Sequence, residues 1–214
     1  MDEDISIINN ETRKEKIINF FINNKKKLIS ILVFILLTIL AFFSYQMYLT
    51  GHKESLANKY NVAVTNYEDG DKIKIEAAMK EIINDKDKTY SPLALYFLID
   101  KEISIPKEEI NKYFDVLINE VNLDKEIKYL IIYKKGLFNA DFETENNLIT
   151  ILKPVINSDS VWKSHALYLM AEYLFDKNQK QKAKEFYNQI LSYKKSNNKI
   201  IQETQKRLRR DFSE

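Results

Sequence analysis

AEYLFDKNQKQKAKEFYNQIL, residues 171–191, holds two alanines twelve positions apart, Ala171 and Ala183, with a polar DKNQK turn between them and Tyr187 and Ile190 following at helical spacing. Small residues let two helices approach closely, so the stretch reads as a helix pair in which Ala171 faces Ala183 while Tyr187 and Ile190 pack onward.

The same offsets of 12, 16 and 19 residues recur along the chain. From Gly136 they reach Leu148, Leu152 and Val155; from Leu98, Ile110, Phe114 and Leu117; from Ala63, Ile75, Met79 and Ile82. Every position reached is apolar, in a chain that is 45% hydrophobic. The register positions Ala63, Leu98, Gly136 and Ala171 are 35, 38 and 35 residues apart, close to the period of about 34 expected for tetratricopeptide helix pairs. Local punctuation agrees. Turns fall at EDGDK, EISIPKEE, NADFETEN and DKNQK. Gly70 fits a left-handed helix C-cap, Ser91 before Pro92 an N-cap, and Pro106 with Glu108 and Glu109 a second helix start. Ser158, Asp159 and Ser160 offer capping oxygens ahead of Val161 and Trp162. Ile200, Thr204, Leu208 and Phe212 form the apolar side of a final helix that can cap the stack.

The bulk composition fits helices. Only three Gly and three Pro occur among 214 residues, too few for a turn-dense sheet protein. Lys and Arg total 33 against 31 Asp and Glu, so no overall field favours nucleic acid. Cysteine is absent, which removes disulfides, thiolate nucleophiles and Cys-ligated metals.

One segment departs from this soluble pattern. No charged side chain stands between Lys27 and Lys53, and an apolar helix of about 20 residues spans a bilayer core. Leu28, Leu32, Phe34, Leu36, Phe42 and Phe43 supply the lipid-facing length, with Tyr45 and Tyr48 as an interfacial aromatic belt. The run is too long for the apolar region of a signal peptide, and no A-x-A site follows Phe43, so a retained anchor is expected. Lys25, Lys26 and Lys27 set the topology, with the N-terminus cytoplasmic. Ahead of them, ETRKEKIINFFINNKKK either lies on an anionic leaflet, contacting membrane lipid, or continues the anchor helix.

The chain thus divides into a basic lead (1–27), a transmembrane helix (28–49) and an exported domain (53–214). The fold expected is all-α: the anchor, then a tetratricopeptide-like α-solenoid of about four helix pairs plus a C-terminal capping helix. In this layout the chain resembles the bacterial family of single-pass inner-membrane proteins with a tetratricopeptide-like exported domain, which includes the ancillary subunit of the Sec translocon. The resemblance rests on the lysine-bearing lead, the anchor, YNVAVTNYEDGD, DKTYSPLALYFLIDKEI and the last pair from Val161 to Leu191. TYSPLA is its most specific local match, and Ile99 departs from it where a small residue is usual.

The resemblance implies a periplasmic domain that is not an enzyme and that links exported chains to folding factors, with Sec channel subunits, periplasmic chaperones or unfolded exported chains as partners. A scaffold for another envelope assembly, in cytochrome maturation or polymer export, is the alternative. The groove-lining positions of such repeats fall on Tyr60, Val64, Tyr67, Leu95, Ile99, Tyr133, Leu137, His165, Tyr168 and Phe175. These would offer an apolar groove with aromatic area, or would equally fill the space between helices.

Catalytic patterns are weak. His52 and His165 lack metal spacing, Glu108 with Glu109 and Asp85 with Asp87 read as solvated helix ends, and no glycine-rich phosphate loop occurs. No cofactor, nucleic acid or small-molecule substrate is expected.

Overall fold

A computed structural model of the chain describes residues 2–68, 70–103 and 105–212, with side chains from Arg13 onward. The described residues form nine helices and no strand: α1 (Asp2–Thr65), α2 (Lys72–Asn84), α3 (Tyr90–Asp100), α4 (Lys107–Asn119), α5 (Lys125–Asn139), α6 (Glu145–Ile156), α7 (Lys163–Asp176), α8 (Lys180–Ser192) and α9 (Asn198–Asp211). Contacts divide the chain into residues 1–55 and 56–214.

In the first unit, α1 runs without a break through lead and anchor, because no proline or glycine interrupts it before Gly51. The lead therefore continues the anchor helix; its side chains up to residue 12 lie outside the described residues. Leu32, Phe34, Leu36, Phe42, Phe43, Tyr45 and Tyr48 are exposed and Leu28 is half-buried, while Lys25, Lys26 and Lys27 are exposed. This helix is long and apolar enough to cross a membrane. The Thr38 hydroxyl returns to the carbonyls of Phe34 and Ile35, both at 2.8 Å, so the apolar stretch carries no open hydroxyl there.

The second unit begins at Leu56, three residues beyond the boundary expected from the charge pattern. Its helices pack in chain order. A front core joins Leu56, Ala63, Met79, Leu98, Phe114 and Ile131, and a back core joins Ile132, Leu152, Met170, Ala171, Ala183 and Tyr187. Adjacent residues of α5 thus serve different cores. All sixteen positions reached by the twelve-residue ruler, anchors included, are buried.

The helix ends correct three expectations. Gly70 has no left-handed backbone. Its lack of a side chain is needed because a Cβ would overlap the Asn66 carbonyl, whose oxygen accepts the Gly70 N–H at 2.7 Å. Left-handed conformations fall instead on Lys86, Glu102 and Asn178. After α3 and α7 they complete the same C-terminal motif, with Ile103 N–H donating to Leu98 O at 3.3 Å and Gln179 N–H to Leu174 O at 2.8 Å. Ser91 is not the N-cap of α3. Asp87 Oδ1 accepts from the Thr89 and Tyr90 N–H groups at 2.8 and 2.7 Å, and the buried Ser91 hydroxyl donates to Ile82 O at 2.7 Å, tying α3 to α2. Pro106 occupies the N-cap position of α4 rather than its first turn.

Candidate functional site on the face of α5 and α7

Residues four apart lie on one face of a helix, and the exposed side of the back half is built from two such series. On α5 they are Tyr133 and Leu137; on α7 they are His165 and Leu169, with Phe175 further along. These helices touch, and α7 also touches α9. Over its 14 residues α7 gives the face a length of about 21 Å.

One end of the face is aromatic. The Tyr133 ring stacks on Trp162 at 6.0 Å with 18° between planes, and His165 meets the rings of Tyr133 and Trp162 at 5.7 and 5.1 Å. A depression of about 290 Å³ lies beside Trp162 and His165, bounded by Val161, Lys195 and Asn197. Burial pushes the His165 imidazole below its ordinary value, against a smaller opposing effect of the Val161 backbone, and burial raises the Tyr133 phenol. The ring cluster is therefore uncharged at neutral pH.

The other end opens into a cavity of about 790 Å³ on α5, α7 and α9. Leu137 (46% exposed), Leu169 and Phe175 give its apolar surface, while Asp141 and Asp176 stand exposed at its edge. Its floor is an ion pair. Arg207 of α9 grips Glu172 of α7 with two nitrogens, donates to Asp211 at 3.1 Å, and lies 4.9 Å over the Phe175 ring. Tyr187 also donates to Glu172. Burial alone would raise the Glu172 carboxyl, but hydrogen bonds from Arg207, Tyr187 and Tyr168 outweigh it and hold the group below its ordinary value. The charges of the floor thus offset one another.

Of the ten groove positions read from the sequence, four gather on this face: Tyr133, Leu137, His165 and Phe175. Tyr168 turns toward the Tyr187 ring, 5.9 Å away. Leu95 is fully buried in the core and presents nothing to a partner, a correction that follows from the close fit of α3 to its neighbours. Tyr60, Tyr67 and Ile99 lean on the same core, with Tyr60 against Tyr90 at 6.0 Å and Tyr67 against Phe97 at 5.3 Å. Val64 is exposed.

Sequence reasoning missed Leu169, Asp141, Asp176, Glu172 and Arg207 as site residues. A signal for them existed, because Asp141 and Asp176 are 35 residues apart, as are Glu172 and Arg207. The arrangement offers ring faces, aliphatic surface and two open carboxylates, which suits reversible recognition. No family model, no curated protein and no solved structure matches this chain.

Proposed function

We propose that the protein is a membrane-anchored, non-catalytic interaction module whose α5 and α7 face holds segments of other proteins. The observation that carries this reading is the face itself: an aromatic end, an aliphatic middle and an open cavity on one side of a helical domain joined to a membrane-crossing helix. Large rigid rings give contact area at low entropic cost. A tether confines such a domain near the membrane, so weak contacts suffice through effective concentration.

The finer architecture we infer is a tetratricopeptide-like solenoid. Hydrogen bonds and ion pairs that join residues about one repeat apart support it. Ser160 donates to Glu126 at 2.6 Å, Tyr193 to Ser160 O at 3.2 Å, Gln179 to Glu145 at 2.8 Å, and Lys86 pairs with Glu120 at 2.6 Å; their sequence separations are 33 or 34 residues. Arg207 and Glu172 add a separation of 35. Equivalent positions in successive helix pairs would meet in this way in a stack.

Within this reading, the lysines before the anchor put the helical domain on the periplasmic side of a bacterial inner membrane. The module then serves beside the Sec channel, linking exported chains to folding factors. The test is in-cell photo-crosslinking from position 137, whose side chain faces the cavity, with exposed Lys199 as the control position. Capture of exported chains, Sec subunits or periplasmic chaperones from position 137 alone is the expected outcome. Capture confined to one unrelated envelope protein would replace the export role with a scaffold, and equal capture from both positions would remove the face as the binding surface.

A further inference from the structure

The charge at the α5 and α7 cavity narrows the kind of segment it takes. Five charged side chains line it: Asp141, Glu172, Asp176, Lys177 and Arg207. Glu172 and Arg207 neutralise one another, and the Lys177 ammonium lies over the Tyr173 ring at 5.6 Å. Asp141 and Asp176 have no cationic partner among the described residues. Both are exposed at the edge of an apolar surface made by Leu137, Leu169 and Phe175.

The origin of this pairing lies in the helix ends. Asp141 stands two residues beyond the last residue of α5 and Asp176 is the last residue of α7, 35 positions on. A carboxylate at a helix C-terminus opposes the helix dipole. Cation partners would relieve that opposition. Some acidic residues elsewhere in the domain reach a cation on another helix: Glu145 holds Lys182 at 2.8 Å, Asp115 holds Lys135 at 2.7 Å and Glu109 holds Lys80 at 2.7 Å. The two aspartates at the cavity are left open for a cation from outside.

We infer that the cavity selects peptide segments in which aliphatic side chains alternate with lysine or arginine, the aliphatic groups resting on Leu137, Leu169 and Phe175 and the cations reaching Asp141 and Asp176. This deepens the proposed interaction role and rests on it. A volume of about 790 Å³ accommodates several side chains rather than a whole folded domain. The Arg207 guanidinium is engaged by two carboxylates and a ring, so it does not compete for the edge aspartates. An acidic segment would meet the carboxylates of Asp141 and Asp176 at the same edge.

The experiment uses the full chain in nanodiscs of neutral lipid and three rhodamine-labelled peptides of equal length, alternating leucine with lysine, glutamine or glutamate. Fluorescence anisotropy is read against empty nanodiscs. The lysine peptide is expected to bind most tightly and to weaken with salt. Asp141→Asn with Asp176→Asn should weaken it about fivefold while leaving the glutamine peptide unchanged. Both positions are exposed, so folding is preserved, and circular dichroism verifies it. Equal binding of all three peptides, insensitive to the double variant, overturns charge selection and leaves the interaction face intact. If no peptide binds while position 137 still captures partners in cells, the cavity chemistry is wrong and the wider role stands. If crosslinking also fails, both fall together.

Discussion

In the back half of the helical domain, α7 and α8 are joined by only three residues, 177–179, and pack closely together. Ala171 and Ala183 are both fully buried there. In the same half α5 approaches α6 at Gly136, where a Cβ would overlap the Leu152 side chain. The front half has the same spacing but a different partner. Six residues, 101–106, separate α3 from α4, and the position matching Ala171 is Leu98. There α3 lies mainly on α2, fixed by the Ser91 to Ile82 hydrogen bond, and touches α4 over a smaller area. The end of α1 stands off from α2 around a cavity of about 570 Å³ that Ala63, Ile75 and Ala78 line. One hydrophobic period thus supports two pairings, and turn length with side-chain volume at the crossing decides between them.

The sharpest way to break this comparison is to make the front crossing small. Leu98 is fully buried, so Leu98→Ala removes packed volume from the front core. If the six-residue turn prevents α4 from closing onto the smaller side chain, the variant loses about 2–5 kcal/mol. Denaturant unfolding of the full chain in detergent measures it. A loss below about 1 kcal/mol would mean that the front pair closes as the back pair does.

The opposite substitution separates the halves in the other direction. Ala183→Leu forces a branched side chain into the contact between α7 and α8 and should cost about 1–3 kcal/mol by overpacking. Ala63→Leu places the same volume beside the front cavity and should cost less than Ala183→Leu. Equal costs at the two positions would show that the cavity is not available space.

These contrasts mark what was readable beforehand. The helix content, the apolar span and the buried sixteen positions all follow from local spacing, which side-chain periodicity carries directly. The neighbour that α3 prefers was not readable, because it depends on turn length and on a hydroxyl reaching Ile82. Gly70 was misread for a related reason. Its role is close approach to Asn66 O, a contact that spacing alone does not reveal. At the candidate site the ring positions Tyr133 and His165 were already named from the sequence as groove-lining positions of such repeats. The burial of Leu95 was not legible, since an exposed and a buried leucine have the same pattern, and Asp141 and Asp176 were passed over because they fall in the turns NADFETEN and DKNQK.

The smallest effect concerns charge and separates the halves by pH. Each half contains at least one carboxylate held below its ordinary value. In the back one is Glu172, where burial is outweighed by Arg207, Tyr187 and Tyr168; in the front one is Glu109, through hydrogen bonds from Lys80 and Tyr113. A lowered folded-state value contributes stability above the ordinary carboxyl range, and that contribution is lost as pH falls through the folded value. Glu172→Gln should therefore cost roughly 1–2 kcal/mol at neutral pH, by weakening the grip on Arg207. Its deficit should then shrink as pH falls below the ordinary carboxyl range and the wild-type carboxyl protonates. Trp162 is the single tryptophan and stacks on Tyr133, so its fluorescence reports unfolding of the back half. Glu109→Gln should leave the Trp162 transition nearly unchanged if the halves unfold separately. If instead both variants shift that transition alike, α5 couples the two cores into one cooperative unit, as expected from a helix that gives Ile131 to one and Ile132 to the other.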